Sequence, residues 1–382
     1  MKITDIKIFA AEYAQTSKSP TNKKWIFLKM ETDEGIHGWG EVGSSVNVSE
    51  NFMATAIKEV APQLIGENPM DTDRLWNKIF RMFSYMGSRG FTTSLTAGFD
   101  IALWDIKGKV SGLPVYDLLG GRYRDPVRLY CNAWFNGCFT PEEYANAAKV
   151  NVLENGHNAC KLDPFLEMTQ FHTMYQDGFI SEEGEQLGYD IVAAVREVVG
   201  PEIEILIDAH GHYNVPNAIR ISNNLYERFN IAWFEEPVPP EGINALKQVK
   251  ENTMAPICVG ERLYTRADFI PILENNLADY IMPDTVWTGG ISEIKKIATM
   301  AEAYYIPIAP HVIPGGPLEL IAAAHVVSSV PNFYKLEHSH AFIPEHNNIL
   351  EEPYLIKDGH LHLNGNPGLG FELDEDKLEK IA

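Results

Sequence analysis

The spacing of apolar and polar positions divides this chain of 382 residues into two textures. In KKWIFLKMETDEGIHGWGE, aromatic and aliphatic residues flank an Asp33-Glu34-Gly35 turn, the pattern of an antiparallel hairpin. From about Glu50 to Leu119 the spacing becomes helical, in LWNKIFRMFSYM and in SLTAGFDIALWDIKGKV, with Gly112 and Pro114 as a stop. Residues 1–125 are therefore expected to form an α+β domain.

After Asp125-Pro126, short apolar runs alternate with longer amphipathic stretches, the texture of βα units around a parallel sheet. The runs are VRLYCN, NACKL, IEILID, IAWFEE, PICVGE, DYIMPD, IPIAPH and FYKLEH. Eight of them predict a closed barrel over residues 126–340 rather than an open sheet. Thr140-Pro141-Glu142-Glu143 combines an N-cap, a first-turn proline and a capping-box glutamate, so a helix should run from there to about Glu154, before Gly156. The segment Pro164 to Gly188, with Phe165, Phe171, Tyr175, Asp177 and Glu182, is long for a loop after a barrel strand and is expected to form a wall of the active site. The last stretch, residues 341–382, lacks βα texture. Its turns, Lys357-Asp358-Gly359 and Asn364-Gly365-Asn366-Pro367-Gly368, suggest a return to the first domain.

Composition narrows the function classes. With 45% hydrophobic residues the chain can fill a large core. No stretch approaches the roughly 20 apolar residues of a membrane span, and charges interrupt the opening MKITDIKIFAAEY, so neither export nor membrane insertion is expected. Cys131, Cys138, Cys160 and Cys258 have no CxxC spacing, which suits a reducing, cytoplasmic setting with the thiols as small buried hydrophobes. A formal net charge of -21 argues against nucleic acid and anionic lipid as partners, and an anionic small-molecule substrate would need a metal or a focused positive site.

Chemistry enters at the ends of the runs. Asp208, Glu235, Glu261, Asp284, His311 and Glu337 each close one, at separations that suit one strand, one loop and one helix. Any one of them could be a helix cap or a turn residue. Parallel barrel strands, however, bring all six to one mouth. Asp208, Glu235 and Glu261 offer hard oxygen ligands of the kind Mg²⁺ or Mn²⁺ prefers, and three buried carboxylates would be costly without a cation. His311 and Asp284 end neighbouring runs and could pair as a carboxylate-oriented general base. His210, two residues after Asp208, would point to the same side of an extended strand end and is a candidate general acid. Lys161 could neutralise a developing oxyanion or could be a surface lysine. Asp163, His212, Glu236 and Trp287 lie beside these positions with weaker cases: Asp163 as a turn residue, Trp287 as packing or pocket wall, Glu236 as support for the metal ligands.

Taken together, WIFLKMETDEGIHGWGE, ALWDIKGK at 102 to 109, Lys161-Leu162, Asp208-Ala209-His210-Gly211, Phe234-Glu235-Glu236-Pro237-Val238, Gly260-Glu261-Arg262, Pro283-Asp284, Gly289-Gly290-Ile291, Ala309-Pro310-His311 and Pro367-Gly368-Leu369-Gly370 resemble the enolase superfamily. The resemblance covers essentially the whole chain. It lies with the mandelate racemase-like group and, within that, the acid-sugar dehydratases of galactonate dehydratase type. It implies an α/β fold: a modified TIM-type (β/α)7β barrel under an α+β cap that residues 341–382 complete. It further implies one Mg²⁺ per subunit on Asp208, Glu235 and Glu261, abstraction of the proton alpha to a carboxylate, and an enediolate stabilised by the metal. His311, backed by Asp284, would remove that proton. His210 would protonate the departing β-hydroxyl, and Glu337 would contact substrate or intermediate. The product would be a 2-keto-3-deoxy acid from an aldonate or aldarate resembling galactonate or gluconate, formed by a homo-oligomer.

Two departures limit the transfer. Racemising members carry Lys-x-Lys where this chain has Lys161 and Asp163, which disfavours a two-base racemase. Galactonate dehydratase has Asn and Arg in place of Asp163 and His212 and a shorter segment after the second strand, so the particular sugar does not carry over. An epimerase or cycloisomerase of the same enediolate type, or a catalytically silent barrel kept as a binding protein, remain as alternatives.

Overall fold

The computed structural model describes residues 1–13, 23–43, 50–169, 175–312 and 314–381. Strands β1 (Ile3–Tyr13), β2 (Lys23–Thr32) and β3 (His37–Val42) form an antiparallel sheet in that order. The helix Phe91–Ser111 lies directly on β3, where a Cβ at Gly40 would fall 1.9 Å from the Gly98 carbonyl oxygen, so glycine at that position permits backbone-to-backbone packing. The same helix ends at Gly112 in the left-handed conformation, φ 66, the stop expected of that residue. The helix begun by LWNKIFRMFSYM is shorter than its pattern predicts. It ends at Met82, and Tyr85 and Met86 are 102% and 92% exposed. Those apolar side chains have no core to face, and the chain turns there instead.

Strands β4 (Val127–Asn132), β5 (Ala159–Leu162), β6 (Glu204–Asp208), β7 (Trp233–Glu235), β8 (Ile257–Val259) and β9 (Tyr280–Ile281) follow one another in a parallel sheet, and β10 (Leu336–Ser339) closes it onto β4. The seventh run, IPIAPH, is not a regular strand. It makes single bridges from Ile308 to Ile281 and Phe333, and from His311 to Asp284. Pro307 and Pro310 have no N–H for the ladder, although their carbonyls still accept from Ile281 and Glu337, each at 3.2 Å. A helix follows each of the first seven runs, ending with Pro317–Ser328, which completes the (β/α)7β barrel.

The capping box at Thr140 is present: its Oγ1 accepts from the Glu143 N–H at 3.3 Å, and Glu143 accepts from the Thr140 N–H at 2.9 Å. The α-helix runs only from Pro141 to Ala147 and continues as a π-helix over Ala148–Leu153. The Pro164 to Gly188 segment is less loop-like than expected, because a helix begins at Glu182 with Ser181 as its N-cap. Phe165 packs edge-on against Tyr189 and Tyr213 in the core, Tyr175 and Phe179 are exposed, and Phe171 lies outside the described residues.

The tail divides between both parts of the molecule. The hairpin β11 (Leu355–Lys357) and β12 (His360–His362) pairs with the start of β4, whereas β13 (Glu379–Ile381) joins the edge of β1. The N-terminal sheet and helices are pinned to the barrel by polar contacts. Trp76 Nε1 donates to Gly289 O at 2.7 Å, and Asp100 accepts from the N–H and hydroxyl of Ser292 at 2.9 and 2.6 Å. Among the described residues no helix is long and apolar enough to cross a membrane.

Candidate active site at the barrel mouth

Strand periodicity builds the site in layers. Tyr130, Ala159, Leu206, Trp233, Cys258, Met282 and Ala309 form a buried cluster inside the barrel, one from each successive run. Two residues further on, the same face carries Lys161, Asp208, Glu235, Asp284 and His311, because side chains i and i+2 of a strand share a face. At β8 the position above Cys258 is Gly260, with φ 145, and the chain turns there so that Glu261 joins the ring instead.

One carboxylate oxygen from each of Asp208, Glu235 and Glu261 lies within 4.8 Å of the others, and all three residues are buried. Lys161 is 1% exposed, which overturns the surface reading. Its Nζ stands 2.7 Å from Glu235 Oε1 and 3.0 Å from both Asp208 Oδ2 and Glu337 Oε1. Burial by itself would depress the ammonium's pKa, but these carboxylates outweigh it and hold the pKa well above the usual lysine value. Within the group, burial and the neighbouring Asp208 push Glu235 up, whereas for Asp208 the nearby His210 and Lys161 overcome burial and hold it low. Asp208, Glu235, Glu261 and Glu337 are buried together with a single lysine among them, which leaves an excess of negative charge, and Glu261 Oε2 has no hydrogen-bond partner among the described residues. A hard divalent cation fits this donor set.

His311 and Asp284 meet, Nδ1 to Oδ2, at 2.7 Å. His311 Nε2 lies 3.2 Å from Glu261 Oε2 and 3.7 Å from Glu337 Oε2. Burial would depress this imidazole, but Glu337, Glu261 and Asp284 lift its pKa to about 9. Behind Asp284 the buried carboxyl of Glu319 hydrogen-bonds to it, and burial with the nearby Asp284 raises Glu319 well above the ordinary range. The Trp287 ring packs 5.1 Å from that of His311.

His210 borders the opposite side of the triad, with Nδ1 3.3 Å from Asp208 Oδ1 and 3.5 Å from Asp163 Oδ2. It does not continue an extended strand, as the sequence suggested. His210 has φ 47, and its N–H donates to Asp208 Oδ1 at 2.9 Å, so a strained turn directs the ring. Asp163 is thereby a neighbour of His210 and not merely a turn residue. Glu236, also at positive φ, is held by Arg262 Nε at 2.7 Å behind Glu261, and His212 is buried with its ring 6.0 Å from that of His210.

Sequence reasoning missed several supports. Asn132 donates to Glu337 Oε1 at 2.9 Å, and the run VRLYCN, which it closes, could have signalled it. Trp233 Nε1 donates to Glu235 Oε2 at 3.0 Å from two positions earlier on the same strand face. Glu319 carried no local signal, since an acid in the first turn of a helix is ordinarily solvated.

Fold and site together define an enzyme of the β/α-barrel class, with its chemistry at the carboxyl ends of the strands. The chain belongs to the mandelate racemase/muconate lactonizing enzyme family of the enolase superfamily: residues 5–120 match that family's N-terminal domain and residues 143–377 match the enolase C-terminal domain-like family. A D-xylonate dehydratase of Haloferax volcanii is 35% identical over 96% of this chain and 87% of its own length. A D-galactarolactone cycloisomerase of Agrobacterium fabrum is 30% identical, covering 100% and 99%. The solved structure of a mandelate racemase/muconate lactonizing enzyme-like protein from Rubrobacter xylanophilus superposes with a TM-score of 0.88 at 35% identity, over 98% of this chain and 96% of that one.

Proposed function

We propose that this chain dehydrates a sugar acid, an aldonate or aldarate, to the 2-keto-3-deoxy acid with the help of Mg²⁺. One observation carries the reading: the carboxylate triad stands between two imidazoles, His210 against Asp208 and His311 against Glu261. Asp208, Glu235 and Glu261 would hold the ion, Mn²⁺ being the nearest substitute. When bound, the ion would counter the charge that gathers on the substrate carboxylate as the α-proton leaves. His311 takes that proton through Nε2, while Asp284 holds Nδ1 and fixes the tautomer. His210, on the other side, delivers a proton to the β-hydroxyl as its C–O bond breaks, so that water departs. The resulting enol then tautomerises to the ketone. Lys161 and Glu337 complete the charge balance beneath the triad. The D-xylonate dehydratase among the relatives supports the same reaction class.

Metal-loaded protein incubated with a panel of aldonic and aldaric acids should yield a product that has lost one water and reacts with a carbonyl reagent. Exchange of the α-proton with solvent deuterium without loss of water would overturn the proposal. The cycloisomerase among the relatives favours a second reading, a lactone opening or ring isomerisation from the same base, for which product mass would equal substrate mass.

A further inference from the structure

The buried histidines outside the mouth fall into two groups. His325 and His346 have both ring nitrogens occupied: His325 by the Tyr116 N–H at 3.2 Å and the Leu369 carbonyl at 2.9 Å, His346 by the Tyr354 hydroxyl at 2.9 Å and the Gly315 carbonyl at 3.1 Å. His157 and His338 each leave a buried Nδ1 without a hydrogen-bond partner among the described residues, and they face each other Nε2 to Nε2 at 3.3 Å. Cys131 stands beside them. It pairs with His338 in the parallel register of β4 and β10, and both point outward because Tyr130 and Glu337 face the barrel interior. His157 comes just before β5, under the C-terminal hairpin, where a Cβ at Gly359 would lie 3.4 Å from its Nδ1. One nitrogen of each imidazole and the Cys131 sulfur lie within 4.8 Å of one another.

We propose that Cys131, His157 and His338 form a second metal site, a structural one for a borderline-soft divalent ion such as Zn²⁺, which ties the closing seam of the barrel to the start of β5. The donor set is thiol and imidazole, the reverse of the all-oxygen set at the mouth, so the two sites sort ions by hardness. The separation of the two Nε2 atoms matches that of two imidazoles on one tetrahedral Zn²⁺, where bonds of about 2.0–2.1 Å put the nitrogens roughly 3.3 Å apart. In the 3.3 Å contact at least one Nε2 carries no proton, and both rings are buried with Nδ1 unpartnered among the described residues, so nothing but the other ring holds either Nε2 away from an ion. Burial also keeps the Cys131 thiol protonated, and metal binding would release that proton to solvent as the S–metal bond forms. The site owes nothing to the reaction proposed for the mouth.

Titrating Co²⁺ into protein held in excess Mg²⁺ tests this directly. A thiolate-to-cobalt charge-transfer band should grow in and saturate at a single ion for each chain. Cys131→Ser should abolish the band, and Cys258→Ser, which removes the thiol beneath Glu235, should leave it. His157→Gln and His338→Gln should each weaken Co²⁺ binding by more than about tenfold. The melting temperature should rise with Zn²⁺ in the wild-type protein and in Cys258→Ser, but not in folded Cys131→Ser. Absence of the band in the wild-type protein, or its survival in Cys131→Ser, would overturn the assignment. If Cys131→Ser does not fold, the two histidine variants decide: unchanged Co²⁺ affinity in both rejects the site.

Discussion

His311 sets its Nδ1 2.7 Å from Oδ2 of Asp284, a contact made where the sixth and seventh runs lie side by side and bridge at these two residues. The contact turns Nε2 toward Glu261 and the triad, so the ring addresses the mouth with its tautomer held from behind. An amide at position 284 would offer Nδ1 a donor or a weaker acceptor. Asp284→Asn is expected to lower kcat on the sugar acid by about 10²–10⁴-fold with little change in KM, the range assigned to general acid–base catalysis. His311→Asn should abolish α-proton exchange in deuterated buffer, followed by NMR. Undiminished exchange in His311→Asn would remove it from the role of base.

Chelation should inactivate the protein and lower its melting temperature, and Mg²⁺ should restore both. The stabilisation grows with ion concentration, reaching about 2.7 kcal/mol at a hundredfold excess over Kd. Glu261→Gln is expected to act in opposite directions in the two states. It relieves repulsion among Asp208, Glu235 and Glu261 and so raises the melting temperature of chelated protein, but it removes most of the Mg²⁺ response. Scanning calorimetry with chelator and with Mg²⁺ separates the two effects.

Lys161 contacts three buried carboxylates, so Lys161→Met strands them without their counter-ion. Breaking a buried ionic cluster costs about 3–5 kcal/mol, which urea unfolding of the metal-free protein should detect, with a smaller loss when Mg²⁺ is bound. A loss near zero in chelator would contradict the counter-ion role.

At the junction between the N-terminal domain and the barrel, burial raises Asp100 from 3.8 to about 7. Between those values the folded state holds a proton that the unfolded chain has lost, so stability falls as pH rises through this window. Asp100→Asn keeps an acceptor for Ser292 and should flatten that slope. Unfolding free energies of the two proteins measured across the window give the comparison, and parallel curves would refute it.

Local order was readable because it is written in neighbouring residues. The hairpin around Asp33-Glu34-Gly35, the capping box at Thr140 and the stop at Gly112 need only a few adjacent side chains. The ring at the mouth was readable for a related reason. A strand's polar end is a local feature, and a parallel barrel brings all such ends to one face, so Asp208, Glu235, Glu261, Asp284, His311 and Glu337 could be named from spacing alone. The weakened seventh strand was in principle legible in Pro307 and Pro310.

What the sequence could not decide is which charge faces which. Lys161 reads equally as a partner for a developing oxyanion and as a surface lysine until β5 is set between β4 and β6, which buries it among Asp208, Glu235 and Glu337. Glu319 carries no local signal and joins the site only when the helix that bears it packs behind Asp284. The pairing of Cys131 with His338 arises only when β10 returns to β4, across a sequence separation of 207 residues. Periodicity specifies the face on which a side chain lies, because that depends on backbone geometry over a few residues. Its partners across the barrel depend on chain closure, and it is closure that turns a row of strand ends into a charged, water-poor site.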